Sequence, residues 1–363
     1  MTTAVLLSVV FLAFFNGAND NFKGVATVYG SGVASYRTVL AWATVTTAAG
    51  AMLSPLIAPG LIGMFKAKGL VPDAIAASPV FMTSAVLAAA ITVAVATRIG
   101  MPVSTTHALT GGLVGAGLVA AGSDLNLSML GKSFVAPLLA GPFVAALLAA
   151  LAAVAMRWSR LDTDEVVRIE RDVKVSFDEA KHRVEAEVHE TLSVSPGASR
   201  KQDRPARVAS GRALDVFHFA SAGAVSFARG VNDAPKLTAL ALAAGAFGGG
   251  PYLSVAVVTI AMAVGGAVMS RRVAETMSTK ISVIEPGTGV IANTTAAVLV
   301  ILGSIYKLPL STTHVTTGAI VGVGATRGNV VWSTMGKIGL AWVTTLPLAI
   351  AFGASLYLGL SQL

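Results

Sequence analysis

The chain has 363 residues, of which 54% are hydrophobic and only 12% charged, with a mean hydropathy of +0.74. This composition excludes an ordinary soluble domain and predicts an all-α polytopic membrane protein, with room for about ten spans at roughly 20 residues each. The net charge of +8 does not indicate nucleic acid, because the basic residues gather at expected membrane edges and in one central loop. The sequence has no cysteine, so disulfides, thiol catalysis and thiolate metal sites are excluded.

Residues 4–15 are apolar apart from Ser8 and run into a polar cluster from Asn16 to Lys23. No basic region precedes them, so no cleaved leader is expected. The run is too short to span alone. It predicts a helix broken at membrane depth, which the bilayer tolerates only where the loosened backbone faces protein or a polar cavity. Apolar stretches at 38–63 and 80–99 follow, with Arg37, Lys66, Lys68 and Arg98 as interfacial anchors. The segment Arg98 to Pro102 interrupts the pattern ahead of Ser104-Thr105-Thr106. Serine or threonine after a proline suits a helix start, here one inside the membrane. Gly111, Gly112, Gly115 and Gly117 then supply a small-residue face for close packing. A span at 133–155 closes the first half.

Residues 157–212 hold 12 of the 26 Lys and Arg and 11 of the 18 Asp and Glu, so they lie outside the bilayer. Between Asp162 and Glu190, Val166, Ile169, Val173, Phe177, Ala180, Val184 and Val188 recur at three- and four-residue steps, which predicts an amphipathic helix of coiled-coil type. Ser193 to Arg212 is basic and rich in Ser, Pro and Gly, and reads as a flexible linker. The expected organisation is a transmembrane repeat at 1–156, a charged loop at 157–212 and a second repeat at 213–363. With the basic loop cytoplasmic and an odd number of crossings in each half, the repeats are inverted and both termini lie outside.

The duplication rests on two motifs. Gly17-Ala18-Asn19-Asp20-Asn21-Phe22-Lys23 returns as Gly230-Val231-Asn232-Asp233-Ala234-Pro235-Lys236, and Pro102-Val103-Ser104-Thr105-Thr106-His107 as Pro309-Leu310-Ser311-Thr312-Thr313-His314. Gly318, Gly322 and Gly324 repeat the spacing of Gly111, Gly115 and Gly117.

An ionised Asp at mid-membrane costs at least about 2.5–3.5 kcal/mol, so Asp20 and Asp233 need partners or a wet cavity. Lys23 and Lys236, three residues on, share a helical face with them and form the expected charge pairs. Ser104, Thr105, Thr106, Ser311, Thr312 and Thr313 place hydroxyls and free amides at helix N-termini, a combination suited to a tetrahedral oxyanion. His107 and His314 are expected to support the hydroxyl clusters. No catalytic residue, metal or cofactor is assigned.

These paired motifs, with the long hydrophilic loop between halves, resemble the PiT-type inorganic phosphate transporters, which include the sodium-phosphate cotransporters, over residues 5–155 and 213–360. The resemblance implies a secondary transporter of inorganic phosphate. It implies broken or re-entrant helices meeting at a mid-membrane site, with the Ser-Thr-Thr hydroxyls on the anion and Asn19, Asp20, Asn232 and Asp233 in the adjacent coupling-cation region. The family pattern ends in Asn where this chain has Lys23 and Lys236, so proton coupling is expected ahead of sodium.

Sulfate is the alternative substrate, and arsenate a further passenger, because all three are tetrahedral anions. An intramembrane enzyme using the aspartates or a Ser-His pair is a remote alternative that requires no duplicated hydroxyl cluster. The nearest approach to a nucleotide-binding loop, Gly131-Lys132-Ser133, has Asn126 where the first Gly belongs. Symport through the cell (inner) membrane is therefore expected, with lipid as the surrounding partner, no nucleic acid, and a homo-oligomer left open.

Overall fold

The computed structural model describes residues 2–67, 69–158, 166–178, 183–195, 212–243 and 250–363. The first half contains α1 (Thr2–Asp20), a 3-10 turn (Lys23–Val25), α2 (Ala26–Gly30), α3 (Tyr36–Ile57), α4 (Pro59–Met64), α5 (Asp73–Ala76) and α6 (Pro79–Arg98). It continues with α7 (Thr105–Ala121), α8 (Leu127–Met129), a π-helical stretch (Leu130–Val135) and α9 (Ala136–Trp158). The second contains α10 (Arg212–Ala243), α11 (Gly250–Met269), α12 (Arg271–Thr279), α13 (Pro286–Ile305), α14 (Thr312–Thr326) and α15 (Trp332–Leu360).

Among the described residues, seven helical segments are long and apolar enough to cross a membrane: Thr2–Gly30, Tyr36–Ile57, Pro79–Arg98, Leu127–Arg157, Tyr252–Met269, Pro286–Ile305 and Trp332–Leu360. The protein is an integral, multi-pass, helical membrane protein. Its polarity is arranged accordingly. Phe143 (76% exposed) and Val343 (71%) face outward with many other large apolar side chains, while Asn19, Asp20, Lys23, Arg229, Asn232, Asp233 and Lys236 are buried.

The two halves exchange their packing partners. Helix α1 packs on α11 and α10 packs on α3, while α7 packs on α15 and α14 on α9. Glycine permits these approaches. A β-carbon at Gly17 would sit 1.8 Å from the Met262 carbonyl oxygen, and one at its twin Gly230 would sit 2.1 Å from that of Thr47. The anticipated small-residue faces behave alike, with Gly115 against the Ile350 carbonyl and Gly322 against that of Ala146. Residues 1–156 and 213–363 are therefore interleaved.

Two expectations are corrected. The predicted amphipathic helix at 162–190 is instead an antiparallel hairpin, β1 (Val166–Asp178) with β2 (Arg183–Ser195). The sequence alternates with period two at Val167, Ile169, Val173, Val175 and Phe177, and again at Val184, Ala186, Val188, Leu192 and Val194. The register pairs Val167 with Val194, Ile169 with Leu192, Val173 with Val188 and Phe177 with Val184. Apolar residues four apart satisfy both periods, whereas Val175 and Ala186 satisfy only the strand. The expected linker, apart from its ends, lies outside the described residues.

The second correction concerns the break. Helix α1 does end at Asp20 and gives way to the 3-10 turn, as the polar cluster predicts. The duplication would carry the same break to the second copy, yet α10 runs unbroken through Asn232 and Asp233 with Pro235 inside it. There Arg229, Asp233 and Lys236 occur at helical spacing and form ion pairs along one helix face.

Candidate functional site

Both Pro-x-Ser-Thr-Thr-His segments start helices as expected. Ser104 and Ser311 have extended backbone, and their hydroxyls accept the backbone N–H of His107 (3.1 Å) and His314 (3.2 Å). Each Ser is an N-cap. The threonines that follow are buried at the helix starts, Thr312 included.

The two motifs meet at these starts. The Lys23 Nζ donates to Asn19 Oδ1 (2.8 Å), to the Val103 carbonyl (2.9 Å) and to Thr313 Oγ1 (2.5 Å), and it forms a close ion pair with Asp20. Lys236 repeats the arrangement. Its Nζ donates to the Leu310 carbonyl (2.9 Å) and to Thr106 Oγ1 (2.8 Å), with Asp233 at 3.4 Å. Val103 corresponds to Leu310 in the repeat and Thr106 to Thr313, so each lysine grips its own half's carbonyl and the opposite half's threonine.

The asparagines anchor the chain that leads to each helix start. Asn19 donates to Thr97 Oγ1 and the Met101 carbonyl, both at 3.0 Å, and accepts the Val103 N–H at 3.1 Å. Asn232 donates to the Leu310 carbonyl at 3.1 Å and accepts from Ser304 Oγ at 3.3 Å. Thr97 and Ser304 each stand seven residues before their capping serine, so the duplication extends to the supporting hydroxyl.

Two participants were not assigned from the sequence. Asn16 Nδ2 lies 3.1 Å from Asp20 Oδ2, 3.3 Å from Asp233 Oδ2 and 3.0 Å from Thr105 Oγ1, so one amide bridges both carboxylates. Arg229 is 1% exposed, donates to Asn16 Oδ1 (2.8 Å) and Asn21 Oδ1 (3.0 Å), and places its Nε 3.6 Å from Asp233. The available signal for Arg229 was an ionisable residue inside an apolar run, directly before the motif Gly.

Asn16, Thr105, Thr106, Leu109, Asp233, Lys236 and Leu237 line a recess that is too narrow at present to hold a water molecule. Its walls come from α1, α7 and α10. Ser311, Thr312 and Thr313 are not among them, and Thr313 is instead bonded to Lys23 and to the Val103 carbonyl (2.8 Å).

The histidines meet each other, with ring centroids 4.6 Å apart and planes at 74°. The His314 ring also lies 3.9 Å from that of Trp342, whose Nε1 donates to the Pro102 carbonyl at 3.0 Å. The hydroxyl clusters receive their bonds from the histidines' backbone amides. The ring atoms Nδ1 of His107 and Nε2 of His314 are buried without a partner. The rings therefore pack the two helix starts together. Among the described residues no group of three or more His, Cys, Asp or Glu is placed to hold a metal ion.

The chain is 29% identical, over 97% of its length and 76% of the relative's, to a Mycobacterium bovis protein named "Probable low-affinity inorganic phosphate transporter". It is 28% identical to a Rhizobium meliloti protein of the same name, covering 96% of this chain and 93% of that one. A solved structure titled "The sodium-dependent phosphate transporter" superposes with a TM-score of 0.75 at 23% identity, covering 100% of this chain and 99% of the other. That likeness speaks for the fold. The sulfate alternative gains no support from these relatives. The profile described as "Phosphate transporter family" matches residues 16–353, and the chain belongs to that family of transporters rather than to any enzyme class.

Proposed function

We propose that this protein is a secondary active transporter of inorganic phosphate, with the anion held at the N-termini of α7 and α14 and with proton coupling in place of sodium coupling. The observation that carries the proposal is the duplicated bridge in which Lys23 reaches Thr313 and Lys236 reaches Thr106. Helix N-termini and hydroxyls favour an oxyanion, and two ammonium groups already stand on those hydroxyls.

Phosphate entering the recess would draw on Thr105 and Thr106, the Asn16 amide and the Lys236 ammonium; Thr105, Asn16 and Lys236 now donate to protein acceptors, and the Thr106 hydroxyl accepts from Lys236. The recess is too narrow for the anion as it stands, so these contacts must part. Ser104 and Ser311 would hold the helix starts, and Thr312 and Thr313 would serve the anion from the other side after Lys23 lets go. A proton taken up by an Asp-Lys pair neutralises the carboxylate and releases the ammonium to the phosphate, which links the two movements.

Asn19 Oδ1, the Val103 carbonyl, Thr313 Oγ1 and Asp20 form an all-oxygen cage around the Lys23 ammonium. Hard cations are bound by cages of this kind. A tethered cation in that place cannot be carried across, and this favours the proton as the coupling ion.

The inverted relation of the halves is part of the proposal. In support, Tyr36 at the start of α3 bonds Ser270, just past the end of its counterpart α11, at 3.0 Å. Likewise α9 ends where Arg157 donates to the Thr326 carbonyl at 3.1 Å, shortly before its counterpart α15 begins. With the basic loop on the cytoplasmic side of the cell (inner) membrane, both termini face outward. Uptake of labelled phosphate into proteoliposomes, with sodium and proton gradients imposed separately, tests the proposal. Accumulation driven by the proton gradient alone is expected; absence of phosphate uptake under every gradient would refute the transport reading, and uptake driven only by the sodium gradient would refute proton coupling.

A further inference from the structure

Asn16 and Arg229 occupy the same place in the two motif copies, each directly before the motif Gly. The duplication fails here, with an amide in one copy and a guanidinium in the other. Arg229 nonetheless belongs to the same network, because its terminal nitrogens reach Asn16 Oδ1 at 2.8 Å, Asn21 Oδ1 at 3.0 Å and Thr47 Oγ1 at 3.4 Å. These acceptors are neutral. Its Nε has no hydrogen-bond partner, and Asp233 at 3.6 Å is shared with Lys236.

Charge can then be counted. With the carboxylates ionised and the basic groups protonated, Lys23 and Lys236 balance Asp20 and Asp233, and Arg229 leaves the buried cluster with one positive charge in excess. Neutral oxygens solvate that charge without cancelling it, and an uncompensated buried charge is costly. An anion in the adjacent recess would cancel it. The same side chain also fixes Asn16. With the Asn16 amide oxygen held by Arg229, its Nδ2 has to point to Asp20, Thr105 and Asp233, which places a donor in the wall of the recess.

We infer that Arg229 is a specificity-determining residue: it supplies the excess positive charge that draws an anion into the recess and aims the Asn16 amide at it. The inference rests on the phosphate reading above. Without Arg229 the duplicated cluster is electrically balanced and has no net preference for an anion.

The test measures inorganic phosphate binding by calorimetry on purified, detergent-solubilised protein. Parent, Arg229→Gln, Arg229→Lys and Arg229→Gln combined with Asp233→Asn are compared, each checked for monodispersity and thermal unfolding. Arg229→Gln should weaken phosphate binding about tenfold to hundredfold, the order expected for removing one buried unit charge close to a bound anion. Arg229→Lys should stay within a few-fold of the parent. The double variant, which restores one excess positive charge, should recover most of the loss. Parent-like binding by Arg229→Gln, or failure of both the Lys and the double variants to improve on it, overturns the inference while leaving phosphate binding by the parent intact. If Arg229→Gln does not fold, the double variant decides. Binding within tenfold of the parent upholds the charge balance, and lost binding in a folded protein overturns it. A parent that binds no phosphate defeats the inference together with the reading beneath it.

Discussion

Lys23 and Thr313 come from opposite halves of the chain, 290 positions apart, yet the lysine Nζ stands 2.5 Å from the threonine hydroxyl oxygen. Lys236 and Thr106 repeat this relationship at 2.8 Å. A cation fixed to the chain therefore stands on each of these hydroxyls, and in the proposed cycle site opening, proton uptake and anion binding would draw on the same few atoms.

The hydroxyls are expected to contribute from both halves. Replacing Thr105 and Thr106 together by Val, and separately Thr312 and Thr313, removes donors at nearly constant shape. Each pair should weaken phosphate binding about tenfold or more, as expected for hydrogen bonds to a charged group. Calorimetry on the purified variants measures this directly. Parent-like affinity in both would place the anion elsewhere.

The ion pairs should behave as units. Lys23→Met alone leaves Asp20 buried without its cation, and such losses cost about 3–5 kcal/mol. Adding Asp20→Asn should return a large part of that stability, because the uncompensated charge is gone. Unfolding followed by heat or denaturant in detergent, arranged as a double-mutant cycle, gives the coupling. Simple additivity would mean that Asp20 and Lys23 are not energetically coupled.

Much of the candidate cluster was legible in the sequence because both motifs are duplicated, and Asp20, Lys23, Asp233 and Lys236 are conspicuous in apolar surroundings. It did not disclose which copy would serve which. A repeat specifies equivalent positions, whereas the exchange that brings Thr313 to Lys23 arises only when α1 packs on α11 and α14 on α9. Arg229 could have been suspected, since an arginine at membrane depth requires a reason. The charged loop was misread for a narrower cause. Ile169, Val173 and Phe177 are four apart and fit a helix as well as a strand, and the deciding residues were Val175 and Ala186. The unbroken α10 was equally hidden, because Ala234-Pro235 reads as a stronger break than Asn21-Phe22, yet it is the first copy that loosens.

Close packing by twin glycines should be equally demanding in the two halves. Gly115→Leu and Gly322→Leu each drive a side chain into a backbone carbonyl, where the β-carbon alone would lie 2.0 Å and 2.2 Å from oxygen. Overpacking costs typically about 1–3 kcal/mol and more when backbone must shift. Both variants should unfold at clearly lower temperature than the parent. Gly336→Leu, where nothing lies within 4 Å, should not, and an equal drop in all three would remove the packing argument.

The charged loop should be dispensable for transport. Replacing residues 159–211 by a flexible linker of matched reach leaves α9 and α10 intact. The shortened protein should insert, remain monodisperse and take up phosphate at a rate within a few-fold of the parent. Loss of uptake in a correctly inserted protein would assign the hairpin a part in the transport cycle.

The most direct measurement is uptake of labelled phosphate into proteoliposomes with sodium wholly replaced by choline, an inward proton gradient imposed and external pH held constant. If Lys23 and Lys236 stand where a coupling cation would, uptake proceeds without sodium, collapses when a protonophore dissipates the gradient, and is lost or made sodium-dependent in the Lys23→Asn, Lys236→Asn double variant. Strict dependence of the parent on sodium would contradict the account.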